Sequence, residues 1–332
     1  MAKCGFTLGK FAPFHKGHEW MMCKALEVVD ELVVVIYRCD ELPHISLSTR
    51  ANWIRKRFPQ VTVLEAHNGP KDQGYSQHVI EIQNQFLTQF LKDYKFNYFF
   101  SSEAYGDHVA KALDSEDFRI DMQRAKIPIS ATQIRADLFH HRRFLSEEVY
   151  KDLIRKIVFL GAPSTGKSTL CKALADKYNT LWVEEYGREY WQAHQVNRRL
   201  TPEQLLHIGQ SQVALEEERL AEANQFLFCD TNAFTTWHFA LHYHDSALPE
   251  LQRLAQQSWL RYDLVVLCEE DIPYDDTWER SGDANRHEFQ TFLKAYMHEH
   301  NKPYLLVSGT LEQRMAKVEE KLAQMSLQAC KD

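Results

Sequence analysis

No uncharged apolar run approaches the roughly 18 residues that a membrane span requires, which excludes an integral helical membrane protein. The charged, apolar and cleavage regions of a signal peptide are also missing, and Met1 leads within a few residues into a strand-like stretch. There is no Cys-x-x-Cys pair. Seven cysteines (Cys4, Cys23, Cys39, Cys171, Cys229, Cys268, Cys330) are scattered and odd in number. That argues against a zinc or disulfide framework and for reduced thiols in a cytoplasm. No internal repeat or low-complexity segment is present. Basic excess is lacking too: 39 Lys and Arg stand against 46 Asp and Glu, a net charge of −7. Residues 1–150 balance 19 against 19, and the remainder holds 20 against 27. Neither half offers the broad basic surface of a nucleic-acid binder, so neither nucleic acid nor membrane is expected as a partner. Any bound anion must be held by local groups. What remains is ordinary globular composition, 44% hydrophobic and 26% charged, in 332 residues, enough for about two domains.

Strand-like and helix-like patterns alternate through both halves. In the first, strands are expected at Gly5–Leu8, Leu32–Tyr37, Val61–Leu64 and Tyr98–Ser101. Helices are expected near Gly17–Val29, Ser48–Arg57, Ser76–Tyr94 and Tyr105–Ala112. Phe139–Leu153 is polar and helical in pattern and reads as a connector. A second series opens at Lys156–Leu160 and continues with strands at Leu181–Glu184, Phe226–Cys229, Leu264–Cys268 and Tyr304–Val307. This order predicts two α/β domains with parallel sheets, residues 1–150 and 151–332.

The second series begins with a phosphate-loop pattern: Gly161, Ala162, Pro163, Ser164, Thr165, Gly166, Lys167, Ser168, with Thr169 following. Glycines let backbone N–H groups turn around phosphate oxygens, Lys167 supplies a cation, and the Ser168 hydroxyl is a Mg²⁺ ligand. Three clusters accompany it. Asp230 ends a strand, where it can face Mg²⁺, take a proton from an acceptor hydroxyl, or cap a helix at Thr231–Leu241. Glu184, Glu185, Tyr186, Gly187, Arg188 and Glu189 follow another strand end, as ribose- or ring-binding groups or as a solvated helix start. Asp276, Arg280 and Arg286 lie beyond a third strand and could close over phosphates or be plain surface residues. His238, His242 and His244 read as histidine richness on a helix face rather than as a metal site.

The first series carries Gly9, Lys10, Phe11, Ala12, Pro13, Phe14, His15, Lys16, Gly17 and His18 between a strand and a helix. Two imidazoles at a helix N-terminus can donate to an α-phosphate and its departing pyrophosphate, and Gly17 permits close backbone approach. Downstream, Ser130 and Gln133 form a capping-box pattern. Ser130, Thr132 and Arg135 make a second candidate anion group. No covalent residue is required where a substrate phosphate is itself the nucleophile.

The order H-x-G-H, I-S-x-T-x-x-R, then phosphate loop resembles the bifunctional nicotinamide-mononucleotide adenylyltransferase/ribosylnicotinamide kinase family, the NadR type. The likeness extends to Ser101–Gly106, Arg124–Arg135, Glu185–Glu189, Asp230–Thr231 and Pro273–Asp276. It implies a kinase half that phosphorylates nicotinamide riboside with ATP. It also implies a nucleotidyltransferase half that joins the mononucleotide to AMP from a second ATP, giving NAD and pyrophosphate. On that reading His15, His18, Arg135, Lys167, Asp230 and Glu185 are catalytic, with Asp230 and Glu185 both open as the kinase base. Tyr186, Arg188 and Asp276 join them at the acceptor, Ser168 and Asp230 hold Mg²⁺, and both activities depend on it. Two departures stand out. Such proteins often carry an N-terminal helix-turn-helix, and here the first strand begins by residue 5, so DNA binding is not expected. Thr277 and Trp278 occupy lid positions where Asp and Gly are usual. The sequence leaves a homo-oligomer open. Two alternatives stay open as well: a fused phosphopantetheine adenylyltransferase/dephospho-coenzyme-A kinase, and a non-catalytic sensor of NAD or ATP.

Overall fold

The computed structural model describes residues 2–70, 76–102, 106–273 and 283–327. The chain divides into two compact units, one running to Asp152 and the other from Leu153 to Ser326.

The first unit strings together β1 (Cys4–Gly9), α1 (Lys16–Leu26), β2 (Glu31–Tyr37), α2 (Leu47–Arg57), β3 (Thr62–Ala66) and α3 (Gln77–Phe90). After these come β4 (Tyr98–Ser101), α4 (Gly106–Ala112), β5 (Glu116–Arg119) and α5 (Ala131–Ala136). Its sheet is parallel throughout, in the order β3-β2-β1-β4-β5. β2 is buried from Leu32 to Ile36 because helices cover both faces, which is why it reads as an unbroken Val/Ile run. The chain steps outward from β1 through β2 to β3, then crosses to β4. That reversal leaves a crevice at the carboxyl ends of β1 and β4, where ligands of such sheets bind. The edge strand β5 has no counterpart among the expected strands. It is charge-rich and half-exposed and pairs with β4 alone, so it lacks an apolar signature.

The segment expected as a connector is instead packed into this unit. It forms α6 (Leu138–His141), a 3₁₀ turn (Arg142–Phe144) and α7 (Glu147–Leu153). Leu145, Val149 and Tyr150 are buried, and the Trp53 indole donates to Asp152 at 2.7 Å. Its polar residues mark one solvent face, not a free linker.

The second unit comprises β6 (Arg155–Leu160), α8 (Lys167–Tyr178), β7 (Trp182–Val183), α9 (Tyr186–His194), α10 (Pro202–Leu220) and β8 (Phe226–Asp230). It continues with α11 (Ala233–His244), α12 (Pro249–Ser258), β9 (Leu264–Cys268), α13 (Asp283–Glu299), β10 (Leu305–Val307) and α14 (Leu311–Leu327). This sheet is also parallel, in the order β10-β9-β6-β8-β7. β8 and β9 are buried along their whole length, and α8 and α14 pack Leu170, Leu174, Val318 and Leu322 against one face. Again the first strand is central, and the loop after it lies at the switch point. Among the described residues no helix is long and apolar enough to cross a membrane.

Candidate active sites

In the first unit, β1 ends at Gly9 and the chain turns through Lys10–Phe14 into α1. His15 is the N-cap of that helix, extended at φ −136°, and its Nδ1 accepts the Gly17 N–H at 3.1 Å. In return the His15 N–H donates to Nδ1 of His18 at 3.3 Å. The two rings stack with centroids 3.7 Å apart. An Nδ1 that accepts a backbone proton carries none itself, so each neutral ring bears its proton on Nε2. Burial, then the positive charge of Arg124, lowers the His15 pKa to about 4. Burial and the same neighbourhood push His18 well below the usual histidine value. Both are therefore neutral Nε2–H donors at physiological pH, not imidazolium cations. Gly17 has a role the sequence did not reveal: a Cβ there would meet the His15 ring at 2.9 Å, so glycine is what lets the ring lie across the helix start.

Beside this pair lies a cavity of about 640 Å³, which His18 lines and the buried His15 does not. Gly9, Lys10, Phe11, His18, Thr132 and Arg135 all line it, so residues more than a hundred positions apart meet in one place. Arg135 donates to the Ala12 carbonyl at 2.6 Å and to Thr132 Oγ1 at 3.3 Å, tying α5 to the turn after β1. Ser130 and Gln133 form the expected capping box. Because α5 is only six residues long, its contribution is the Thr132 and Arg135 side chains rather than a helix field. Lys10 bonds Glu41 at 2.5 Å; burial would raise Glu41, but hydrogen bonds from Lys10 and Cys39 hold it down at about 2. Behind the turn, the buried Arg50 donates to the Tyr37 carbonyl at 2.9 Å and to the Lys10 carbonyl.

In the second unit, the loop from Gly161 to Gly166 leads into α8. Gly161 has φ +144°, and a Cβ on it would meet the Cys268 carbonyl at 2.7 Å. No other residue fits there. Lys167 Nζ donates to the carbonyls of Gly161 and Ala162 at 3.0 and 2.9 Å, and Thr165 Oγ1 donates to that of Ala162 at 2.8 Å. Ser168 Oγ donates to Asp230 Oδ2 at 2.5 Å, while Oδ1 of Asp230 is buried without a hydrogen-bond partner. Burial, then the nearby Glu185 charge, raises Asp230 to about 6. The helix cap that Asp230 might have been is Asn232, whose side chain accepts the Phe234 N–H. Two hard oxygens, one of them unpartnered, suit a magnesium ion.

Glu185, the N-cap of α9, faces a second cavity together with Lys167, Ser164 and Arg188, and its Oε2 lies 3.7 Å from Arg188. Asp230 is not among the lining residues. The far wall is apolar and aromatic, with Trp191, Leu205, Phe239, Tyr243 and Phe289. Those residues come from α9, α10, α11 and α13, and no motif announces them. Tyr186 does not line the cavity; its hydroxyl pairs with His207 at 3.2 Å. Arg286 is buried outside it and donates to the Ile272 carbonyl at 3.0 Å. Thr169 is exposed in the first turn of α8. Asp276 and Arg280, with Thr277 and Trp278, fall outside the described residues. His238 packs on Phe289 and Phe292, and His244 bonds the Leu200 carbonyl. Among the described residues no cluster of three metal-type ligands exists.

Comparison with known proteins finds likeness in both halves. A family model described as an AAA domain matches residues 156–314. The chain is 26% identical over 325 residues to the trifunctional NAD biosynthesis/regulator protein NadR of Escherichia coli (strain K12), covering 91% of this chain and 78% of that one. The protein of the same description from Salmonella typhimurium is 27% identical over 326 residues, with the same coverage. Crystal structures of a NadR protein, one in complex with NAD and AMP-PNP and one with NR, superpose with a TM-score of 0.57 at 22% identity over 96% of both chains. That is a likeness of fold across both units.

Proposed function

We propose that this chain, which is homologous to the NadR proteins along 91% of its length, is a bifunctional NAD salvage enzyme. The second unit phosphorylates nicotinamide riboside with ATP, and the first adenylylates the mononucleotide with another ATP to give NAD and pyrophosphate. The observation that supports this reading is the presence of two separately built cavities on one such chain, each at the carboxyl end of its unit's first strand and each lined by residues suited to phosphate.

In the kinase reaction the riboside 5′-hydroxyl oxygen bonds the γ-phosphorus, the bond to ADP breaks, and the hydroxyl proton leaves. Glu185 is the better base, because it faces the acceptor cavity beside Lys167. Asp230 lies behind the loop on Ser168 and is assigned, with Ser168, to hold magnesium. A bound magnesium ion there would supply charge screening for the β- and γ-phosphates. Lys167 neutralises the same oxygens, and the aromatic wall excludes water and receives the acceptor's ring.

In the transferase reaction a phosphate oxygen of the mononucleotide bonds the α-phosphorus and pyrophosphate departs. No protein group need accept a proton. The Nε2–H groups of His15 and His18, with Arg135 and Thr132, stabilise charge as it builds. ATP serves both sites, and both require Mg²⁺. A cytoplasmic enzyme with reduced thiols fits this role.

The test is mass-spectrometric product analysis of the purified chain with nicotinamide riboside and Mg-ATP. ADP, mononucleotide, NAD and pyrophosphate are expected. Absence of both mononucleotide and NAD overturns the reading, and phosphorylation of dephospho-coenzyme A instead would support the coenzyme-A alternative.

A further inference from the structure

Two buried side chains outside every motif hold the phosphate loop from behind. Arg314, in the first turn of α14, is 3% exposed. Its guanidinium donates to the Thr165 carbonyl at 2.7 Å, the Gly309 carbonyl at 2.9 Å and the Glu269 carbonyl at 3.2 Å, and it pairs with Asp271. Gln290, on α13, is 1% exposed. Its side-chain oxygen accepts the Ala162 N–H at 2.9 Å, and its amide donates to the Cys268 carbonyl at 3.0 Å. Each residue thus grips one end of the loop and the exit of β9 together.

The consequence follows from peptide planarity. In a trans peptide the C=O and the following N–H point in opposite directions. Holding the Thr165 carbonyl toward α14 aims the Gly166 N–H away from α14. Holding the Ala162 N–H toward α13 turns the Gly161 carbonyl the other way, and there it meets Lys167 Nζ at 3.0 Å. A buried guanidinium is costly to desolvate unless its donors are matched, and here three carbonyls and a carboxylate match it. A lysine offers one point of charge and cannot span those acceptors.

We propose that Arg314 and Gln290 are positioning residues for ATP at the kinase site: they set two peptide planes of the phosphate loop, so that its donors and Lys167 meet the triphosphate without reorganisation. This rests on the reading of that loop as the kinase's ATP site.

The experiment uses the full chain carrying Arg314→Lys, Arg314→Ala or Gln290→Leu. Steady-state riboside phosphorylation is read as separate KM values for ATP and riboside. NAD formation from supplied mononucleotide serves as an internal control. Arg314→Lys should raise KM for ATP about tenfold, with KM for riboside and the adenylyl transfer changed less than about twofold, since a loss of preorganised binding falls on the nucleotide alone. Arg314→Ala should exceed this; should it fail to fold by circular dichroism, Arg314→Lys and Gln290→Leu decide. Hydrogen exchange of the peptide around residues 161–169, with and without Mg-AMP-PNP, gives a readout needing no acceptor. The variants should exchange faster there and gain less protection from the nucleotide. If wild type made no mononucleotide yet its loop were protected by Mg-AMP-PNP, and Arg314→Lys weakened that protection, the proposed function would fall and this inference would stand. Unchanged KM for ATP and unchanged loop exchange in folded Arg314→Lys and Gln290→Leu overturn it.

Discussion

On the proposed function, the two units solve one problem, holding a polyphosphate at the end of a central parallel strand, with opposite electrostatic means. In the first, the groups assigned to the reacting phosphate are two neutral imidazoles, locked by reciprocal hydrogen bonds into the helix cap and pushed out of the physiological titration range by burial. In the second they are a full cation, Lys167, with carboxylates at Glu185 and Asp230. The difference tracks the chemistry. A phosphate nucleophile brings no proton to remove, so fixed dipoles suffice. A hydroxyl nucleophile does, so its site needs a base in the acceptor cavity.

The sharpest way to break this comparison is to disable one site at a time. Lys167→Ala should reduce riboside phosphorylation by orders of magnitude while leaving NAD formation from supplied mononucleotide intact. His18→Ala should do the reverse, losing one donor worth about 2.7–4 kcal/mol, a hundred- to thousandfold in rate. Mixing the two proteins should restore riboside-to-NAD conversion through a diffusing intermediate, measured by chromatography of the products. Loss of both steps in folded Lys167→Ala would mean that the sites are not separate.

Next in size is the division of labour between the carboxylates. Glu185→Gln should lower kcat for riboside phosphorylation by about 10²- to 10⁴-fold, the usual span for a general base, without altering the magnesium requirement. Asp230→Asn should instead raise the magnesium concentration needed for half-maximal rate. Magnesium titrations of both variants check this. A Glu185→Gln enzyme within about threefold of wild type would reassign the base.

The smallest effect is in pH. Neutral donors predict that adenylyl transfer is flat from pH 8 to about 5.5, with no rise near 6.5, because His15 titrates near 4 and His18 well below its ordinary value. A rate that increased on acidification through 6.5 would make imidazolium the working species. Stability should move the other way. These pKa values are lower folded than unfolded, so the unfolded chain takes up protons first as pH falls below about 6.5. The first unit should therefore lose stability from about pH 6.5 down toward 4 and gain nothing above it, as thermal midpoints across that range would show.

Much of this protein is written in local sequence. The phosphate loop, the histidine pair, the Ser130 cap and the central strands were legible because each depends on residues within one strand-turn-helix. Backbone conformation, capping and burial periodicity act over a few positions, so Gly161, His15 or the Val/Ile run of β2 announce themselves. Other features required the fold. Arg135 reaches Ala12 across 123 positions. The apolar and aromatic wall of the second unit's cavity is assembled from four helices, and Glu185 and Asp230 are told apart only by which of them faces that cavity. Arg314 closes on Thr165 across 149 positions. A lone arginine or glutamine in an amphipathic helix carries no pattern, since its partners are backbone carbonyls and N–H groups that every residue type but proline's missing donor supplies. Short-range rules determine which elements form and where a phosphate can sit. The packing of those elements decides which side chains surround the phosphate, and in what state of charge.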